Sequence, residues 1–155
     1  MRKVMKLALE EEQIRIKSHY DLFDGYEIHL YGNQKDHFEL ADQLTKPIVT
    51  VHYPIDRCDI YDVCNEYQSD YARKVFDLCK KAKAGLVVHA ETGLQRLISN
   101  PNLDGFCNFI AKEGIVLHVE NCTGWSVPLK VWMSPIICAP GSVKNRSILC
   151  WIPAI

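Results

Sequence analysis

The chain has 155 residues, 48% apolar and 24% charged, a composition that suits one folded domain with a real core and excludes gross disorder. Lys plus Arg, 18, nearly cancels Asp plus Glu, 19, and a net charge of −1 supplies no global basic field to attract nucleic acid or an anionic membrane. No apolar run approaches the ~20 residues of a membrane span, and the start, Met1-Arg2-Lys3-Val4-Met5-Lys6, lacks the apolar stretch of a secretory signal.

In chain order, Val4 to Leu9 reads as a first strand and Glu11 to Phe23 as a first helix, although Ile14 and Ile16 fit alternation as well as a helical period. Gly25 then opens Tyr26-Glu27-Ile28-His29-Leu30-Tyr31, a strand. Phe38, Ala41 and Leu44 fall three apart and predict a helix within 34–45. Pro47 opens Ile48-Val49-Thr50-Val51-His52. Tyr71, Val75, Leu78 and Ala82 trace one face of a helix over about 66–83. Gly85 opens Leu86-Val87-Val88-His89. Asn100-Pro101 places a capping side chain before a proline at the first turn of a helix carrying Phe106, Phe109 and Ile110. Gly114 closes that helix and opens Ile115-Val116-Leu117-His118-Val119-Glu120-Asn121. Nearly continuous apolar runs of this length suit parallel strands covered on both faces. Repeated strand–helix alternation predicts an α/β fold with a parallel sheet, either the eight-unit barrel or the open doubly wound sheet. No glycine-rich nucleotide loop follows any strand.

The last stretch is different. After Glu120 there is no Asp or Glu, while Trp125, Trp132, Trp151, Pro128, Pro135, Pro140 and Pro153 all lie there. The prolines forbid a long helix, and Ser147 to Ile152 reads as one further strand. An aromatic binding loop, an apolar extension packed on the sheet and a tail foreign to the fold are equally compatible with these residues. The seven cysteines (Cys58, Cys64, Cys79, Cys107, Cys122, Cys138, Cys150) form no C-x-x-C pair, so reduced thiols in a cytoplasmic protein are expected. No His accompanies them in a nucleophile motif.

The strongest chemical signal is positional. His52, His89 and Glu120 each sit at or near the carboxyl end of a predicted parallel strand, the edge where α/β folds carry their sites. Two imidazoles and a carboxylate suit a divalent cation of the Zn, Mn or Fe type and leave positions open for water or substrate. His29 and His118 are weaker candidates; His118 shares the parity of Glu120 and reads as a core or supporting group. Glu27 is read as facing the mouth or as an exposed carboxylate. Asp56, Asp59 and Asp62, with Arg57, read as a solvated loop in preference to contacts with substrate hydroxyls. Asn121 is placed to orient Glu120 or to donate to a substrate oxygen.

The three segments Pro47-Ile48-Val49-Thr50-Val51-His52-Tyr53-Pro54, Gly85 to His89 and Gly114 to Asn121 together resemble the xylose isomerase-like TIM barrels. That superfamily includes sugar and sugar-phosphate isomerases and epimerases and the endonuclease IV-type DNA repair enzymes. The resemblance covers residues 1–124, as strands one to five of eight, and leaves 125–155 as a divergent tail. It implies a divalent metal at the barrel mouth. In the repair branch the positions of His52, His89 and Glu120 bind zinc. In the epimerase branch the Glu120 position supplies a ligand that also takes part in proton transfer. Family members carry further ligands on strands six to eight, whereas here Cys150-Trp151-Ile152-Pro153 stands where Asp-x-x-His is expected, and a full barrel needs about 250 residues.

The expectation is therefore a partial TIM-type α/β barrel of about five to six parallel strands. Its expected role is that of a metal-dependent isomerase or epimerase for a sugar or sugar phosphate, with Glu120 catalytic, inactive by itself or completed as a homo-oligomer. One rival is an endonuclease IV-like zinc phosphodiesterase acting on damaged DNA. Arg73, Lys74, Lys80, Lys81 and Lys83, on presumed helices, do not favour it. The other rival is a non-catalytic truncated fragment.

Overall fold

The structure, a computed structural model, describes residues 3–32, 35–92 and 94–120. Within them, five strands alternate with helices: β1 Val4–Leu7, α1 Glu11–Lys17, β2 Gly25–His29, β3 Ile48–His52, α2 Ile60–Glu66, α3 Asp70–Ala82, β4 Gly85–His89, α4 Leu94–Ile98, α5 Leu103–Glu113 and β5 Leu117–Glu120. A 3-10 helix, Phe38–Gln43, joins β2 to β3. All four strand pairings are parallel and the order is β1-β2-β3-β4-β5. No helix among the described residues is long and apolar enough to cross a membrane.

The sequential order decides where the helices go. Each crossover steps to the next strand in the same direction, and right-handed crossovers of that kind all fall on one side of the sheet. The core agrees. Leu7, Ile28, Val51, Leu86 and Leu117 occupy matching register positions on one sheet face. They share one apolar cluster with Ile14, Val63, Val75, Phe76, Phe106 and Ile110 from the helices. The opposite parity carries Lys6, Glu27, His29, Thr50, His52, Val87, His89, His118 and Glu120. Apolar runs in the sequence predict strands covered on both faces, and β2 and β4 are buried on both; one of those faces is aliphatic, the other rich in polar groups. A register shift between Tyr26 and Glu27 lets Tyr26 and Ile48, ahead of it, both join the core.

Several predicted helices are shorter than their patterns, for local reasons. The first ends at Lys17 because side chains draw off the carbonyls beyond it. Thr45 Oγ1 donates to Ser18, and Lys46 Nζ donates to the carbonyls of Tyr20 and Phe23. The helix over 66–83 divides where Ser69 caps α3, its Oγ accepting from the Ala72 amide at 3.1 Å. Lys83 ends α3 in the left-handed region at φ 54°. Asn100 does not cap α5. Its amide group donates to Tyr61 O and to Asn65 Oδ1, tying the turn to α2, and α5 begins at Leu103. Gly114 closes α5 at φ 67°, as its position in the sequence predicts. The 34–45 pattern yields only the 3-10 helix, which buries Leu40. The predicted strand Ser147 to Ile152 and the whole 125–155 tail lie outside the described residues.

Phe76 in α3 tests this packing, since it is 1% accessible and packs on Phe109 with ring centroids 5.0 Å apart. Phe76→Ala is expected to cost about 3–5 kcal/mol in urea denaturation. Leu22→Ala, at a side chain 75% exposed, is expected to change stability by no more than about 0.5 kcal/mol.

Candidate metal centre

The carboxyl ends of β3, β4 and β5 bring His52, His89 and Glu120 together. One ligand atom from each lies within 4.8 Å of the other two. His52 Nε2 is 2.9 Å from His89 Nε2, and His89 Nε2 is 3.7 Å from Glu120 Oε2. His52 and His89 are 4% and 6% exposed, while Glu120 is half-buried at the rim. The sheet register produces this: His89 pairs with Glu120, and His52 pairs with Val87, two residues before His89 on the same face.

Which nitrogens face the centre is set by their partners on the far side of each ring. His52 Nδ1 lies 2.7 Å from the Tyr53 carbonyl, which can only accept, so Nδ1 carries the proton and Nε2 a lone pair. Burial, opposed by that carbonyl and reinforced by His29 and His89, holds the His52 imidazole below its ordinary 6.5, in the neutral form that a ligand requires. His89 Nδ1 donates to Glu91 Oε1 at 3.1 Å, which turns its Nε2 toward His52. Two imidazoles anchored through Nδ1, with Nε2 converging beside a carboxylate, match the way proteins orient histidine ligands. Zn–N bonds of about 2.0–2.1 Å at a tetrahedral angle set nitrogens about 3.3 Å apart. The observed 2.9 Å is within a small side-chain adjustment of that value. The donor set fits a divalent cation.

His29, a weak candidate by sequence, lies against the centre. It pairs with His52 across β2 and β3 and stacks on it, centroids 4.7 Å apart and planes 20° from parallel. The signal was available, because His29 closes β2 as His52 closes β3. His29 Nε2 donates to Glu27 Oε1 at 2.6 Å, and Lys6 Nζ lies 3.4 Å from the same oxygen. Glu27 is therefore buried and partnered, and the His29 hydrogen bond with the Lys6 charge holds its carboxyl below the ordinary 4.5. His118 stands over Gly85: a Cβ there would collide with its Nε2, so the glycine makes room for the ring. Burial lowers the His118 imidazole as well. It supports the face and does not join the three ligands.

The aspartate loop needs a correction. Asp56 and Asp62 are exposed, as a solvated loop requires, but Asp59 is 8% exposed. Its Oδ1 accepts from the Tyr61 amide at 2.7 Å and caps α2, while Oδ2 accepts from the amides of Glu91 and Thr92 at 2.8 and 2.5 Å. Together with the His89 amide donating to the Cys58 carbonyl at 2.7 Å, these bonds clamp the β3–α2 loop to the exit of β4. Asp59 thus fixes where His89 and Glu91 sit. Sequence alone could not separate it from Asp56 and Asp62. Asn121 lies outside the described residues. A cavity of about 470 Å³ between the 3-10 helix and α3 is lined by Phe38, Ile48 and Leu78 and by none of these histidines.

No protein-family model matches the chain, and no curated protein matches it. The chemistry of the site therefore rests on its own geometry.

Two outcomes test that geometry. Glu91→Ala removes the partner that orients His89 and is expected to weaken Zn²⁺ binding about 10–100-fold by calorimetry, with little loss of stability at an exposed side chain. Because folded Glu27 titrates below 4.5, its ionised form stabilises the protein above that pH, and the contribution disappears as pH falls below 4.5 through the lowered value. Urea midpoints at pH 7 and pH 3.5 should therefore converge in Glu27→Gln relative to the unaltered chain.

Proposed function

We propose that the described strands are the first five of a xylose isomerase-like TIM-type barrel, and that their rim is the metal site of a sugar or sugar-phosphate isomerase or epimerase. Support for the barrel comes from the sequential parallel order with the helix core on one face. That arrangement curls a sheet in one sense, and it leaves the polar parity to face a barrel interior. The reading is carried by one observation, the convergence of His52 Nε2, His89 Nε2 and the Glu120 carboxylate at the carboxyl edge. Those three residues would hold the cation.

A divalent cation there would supply polarisation of a substrate carbonyl. The chain's own groups do the rest. Glu120, more accessible than either histidine, receives the proton from the carbon beside that carbonyl and returns it. The carbonyl of Tyr53 and the carboxylate of Glu91 keep His52 and His89 pointed at the centre through the cycle. Further ligands from later strands belong to the same proposal, so the described part is inactive without them or is completed by a second copy.

The nitrogen-rich donor set favours a second reading, a zinc phosphodiesterase of the endonuclease IV type. The rim charges oppose it. Among the described residues, Glu91 and Asp56 stand at the strand exits beside Arg57, a mixed set of charges and no basic surface for DNA.

Metal analysis and binding on the purified chain separate these readings. One equivalent of Mn²⁺, an ion that prefers carboxylate and water to thiolate, is expected, and it should be lost in His52→Ala, His89→Ala and Glu120→Ala. In an active assembly, Glu120→Gln should slow solvent-deuterium incorporation beside the substrate carbonyl by at least about 100-fold. Salt-sensitive cleavage of abasic DNA without deuterium incorporation would establish the second reading. An unaltered chain that binds no metal would overturn both.

A further inference from the structure

His89 presents two usable sides. Its Nε2 faces His52 and Glu120, and its Nδ1 lies 3.1 Å from Glu91 Oε1. On the Glu91 side there is also a thiol: the ligand atoms of Cys58, His89 and Glu91 all lie within 4.8 Å of one another. The backbone holds the three together. The His89 amide donates to the Cys58 carbonyl, and Asp59, the next residue, grips the Glu91 amide. Cys58 is 1% exposed, whereas the Glu91 side chain is 55% exposed and gives an ion an approach from solvent. Sulfur, nitrogen and oxygen donors in one cluster suit a borderline or soft cation rather than magnesium or calcium.

We infer that Cys58, His89 Nδ1 and Glu91 form a second cation site, selective for thiophilic ions, which shares the His89 ring with the rim centre and excludes it. The exclusion follows from tautomerism. A neutral imidazole carries one N–H and one lone pair. With the proton on Nδ1 and donated to Glu91, the Nε2 lone pair serves the rim. With an ion on Nδ1, the proton resides on Nε2, and His52 Nε2, 2.9 Å away, accepts it. The lone pair of His52 is then spent in a hydrogen bond, so two of the three rim ligands are withdrawn together. Binding releases one proton to solvent: the ion takes the place of the Cys58 thiol hydrogen, which now donates to the Ile55 carbonyl at 3.3 Å. The thiophilic site stands on its own donors, and only the exclusion rests on the rim reading above.

Titration of the full chain with Cd²⁺, followed by the ultraviolet sulfur-to-cadmium charge-transfer absorption, tests this. The absorption is expected to saturate at one equivalent, to persist in His52→Ala and to vanish in Cys58→Ser. Cys58→Ser should still bind one equivalent at the rim, without sulfur absorption; if it binds none, the rim reading fails while the thiolate site stands. Should Cys58→Ser not fold, Glu91→Ala, at an exposed position, is expected to raise the cadmium midpoint by at least about tenfold, the smallest effect of losing even an outer-shell partner. Absence of the absorption in the unaltered chain overturns the inference, as does its survival in Cys58→Ser or the binding of two equivalents at once.

Discussion

The bond from His52 Nδ1 to the Tyr53 carbonyl, 2.7 Å long, is the contact on which the rim depends. A carbonyl cannot donate, so this bond settles the tautomer of His52 without reference to anything in the site. The lone pair must then be on Nε2, which the fold directs at the matching atom of His89. With the His89 proton on Nδ1 both Nε2 atoms present lone pairs to a cation; with it on Nε2 the same 2.9 Å contact is a hydrogen bond from His89 to His52. The short backbone contact thus readies His52 as a ligand, and the position of the His89 proton decides whether the pair acts together.

The sheet supplies the second constraint. In a strand, neighbouring side chains point to opposite faces, so His52 and Tyr53 are divided between rim and core by geometry alone. Tyr53 is fully buried, and its hydroxyl donates to Glu66 at 2.6 Å. Core packing on one parity therefore locks the polar parity in register. Asp59 extends the lock across the loops, because its two oxygens hold the start of α2 and the exit of β4 at once. Rigid elements below and braced loops above are what hold ligand atoms to within a few tenths of an ångström.

The competition between the two sides of His89 belongs to the same logic. A ring with partners on both nitrogens transmits any change at one to the other, because a neutral imidazole has a single mobile proton. Glu91 and Cys58 on one side and His52 and Glu120 on the other are thereby linked through one residue.

Much of this was legible in the chain. Glycine or proline ahead of each β-branched run marked β2, β3, β4 and β5, and the polar residue at each strand end marked the rim, because both signals depend only on neighbouring residues. The sequence also determined the ligand types and the parity that puts His118 on the same face as Glu120. Strand order and register were decided only in three dimensions, and with them the stacking of His29 on His52. The same is true of the separation of Asp59, buried and clamped, from exposed Asp56 and Asp62, and of the seating of Cys58 beside His89. Each of these depends on contacts between residues some 20 to 35 positions apart, and such contacts are set by how the strands pack and which carbonyls remain to be paired, not by the pattern within any one segment.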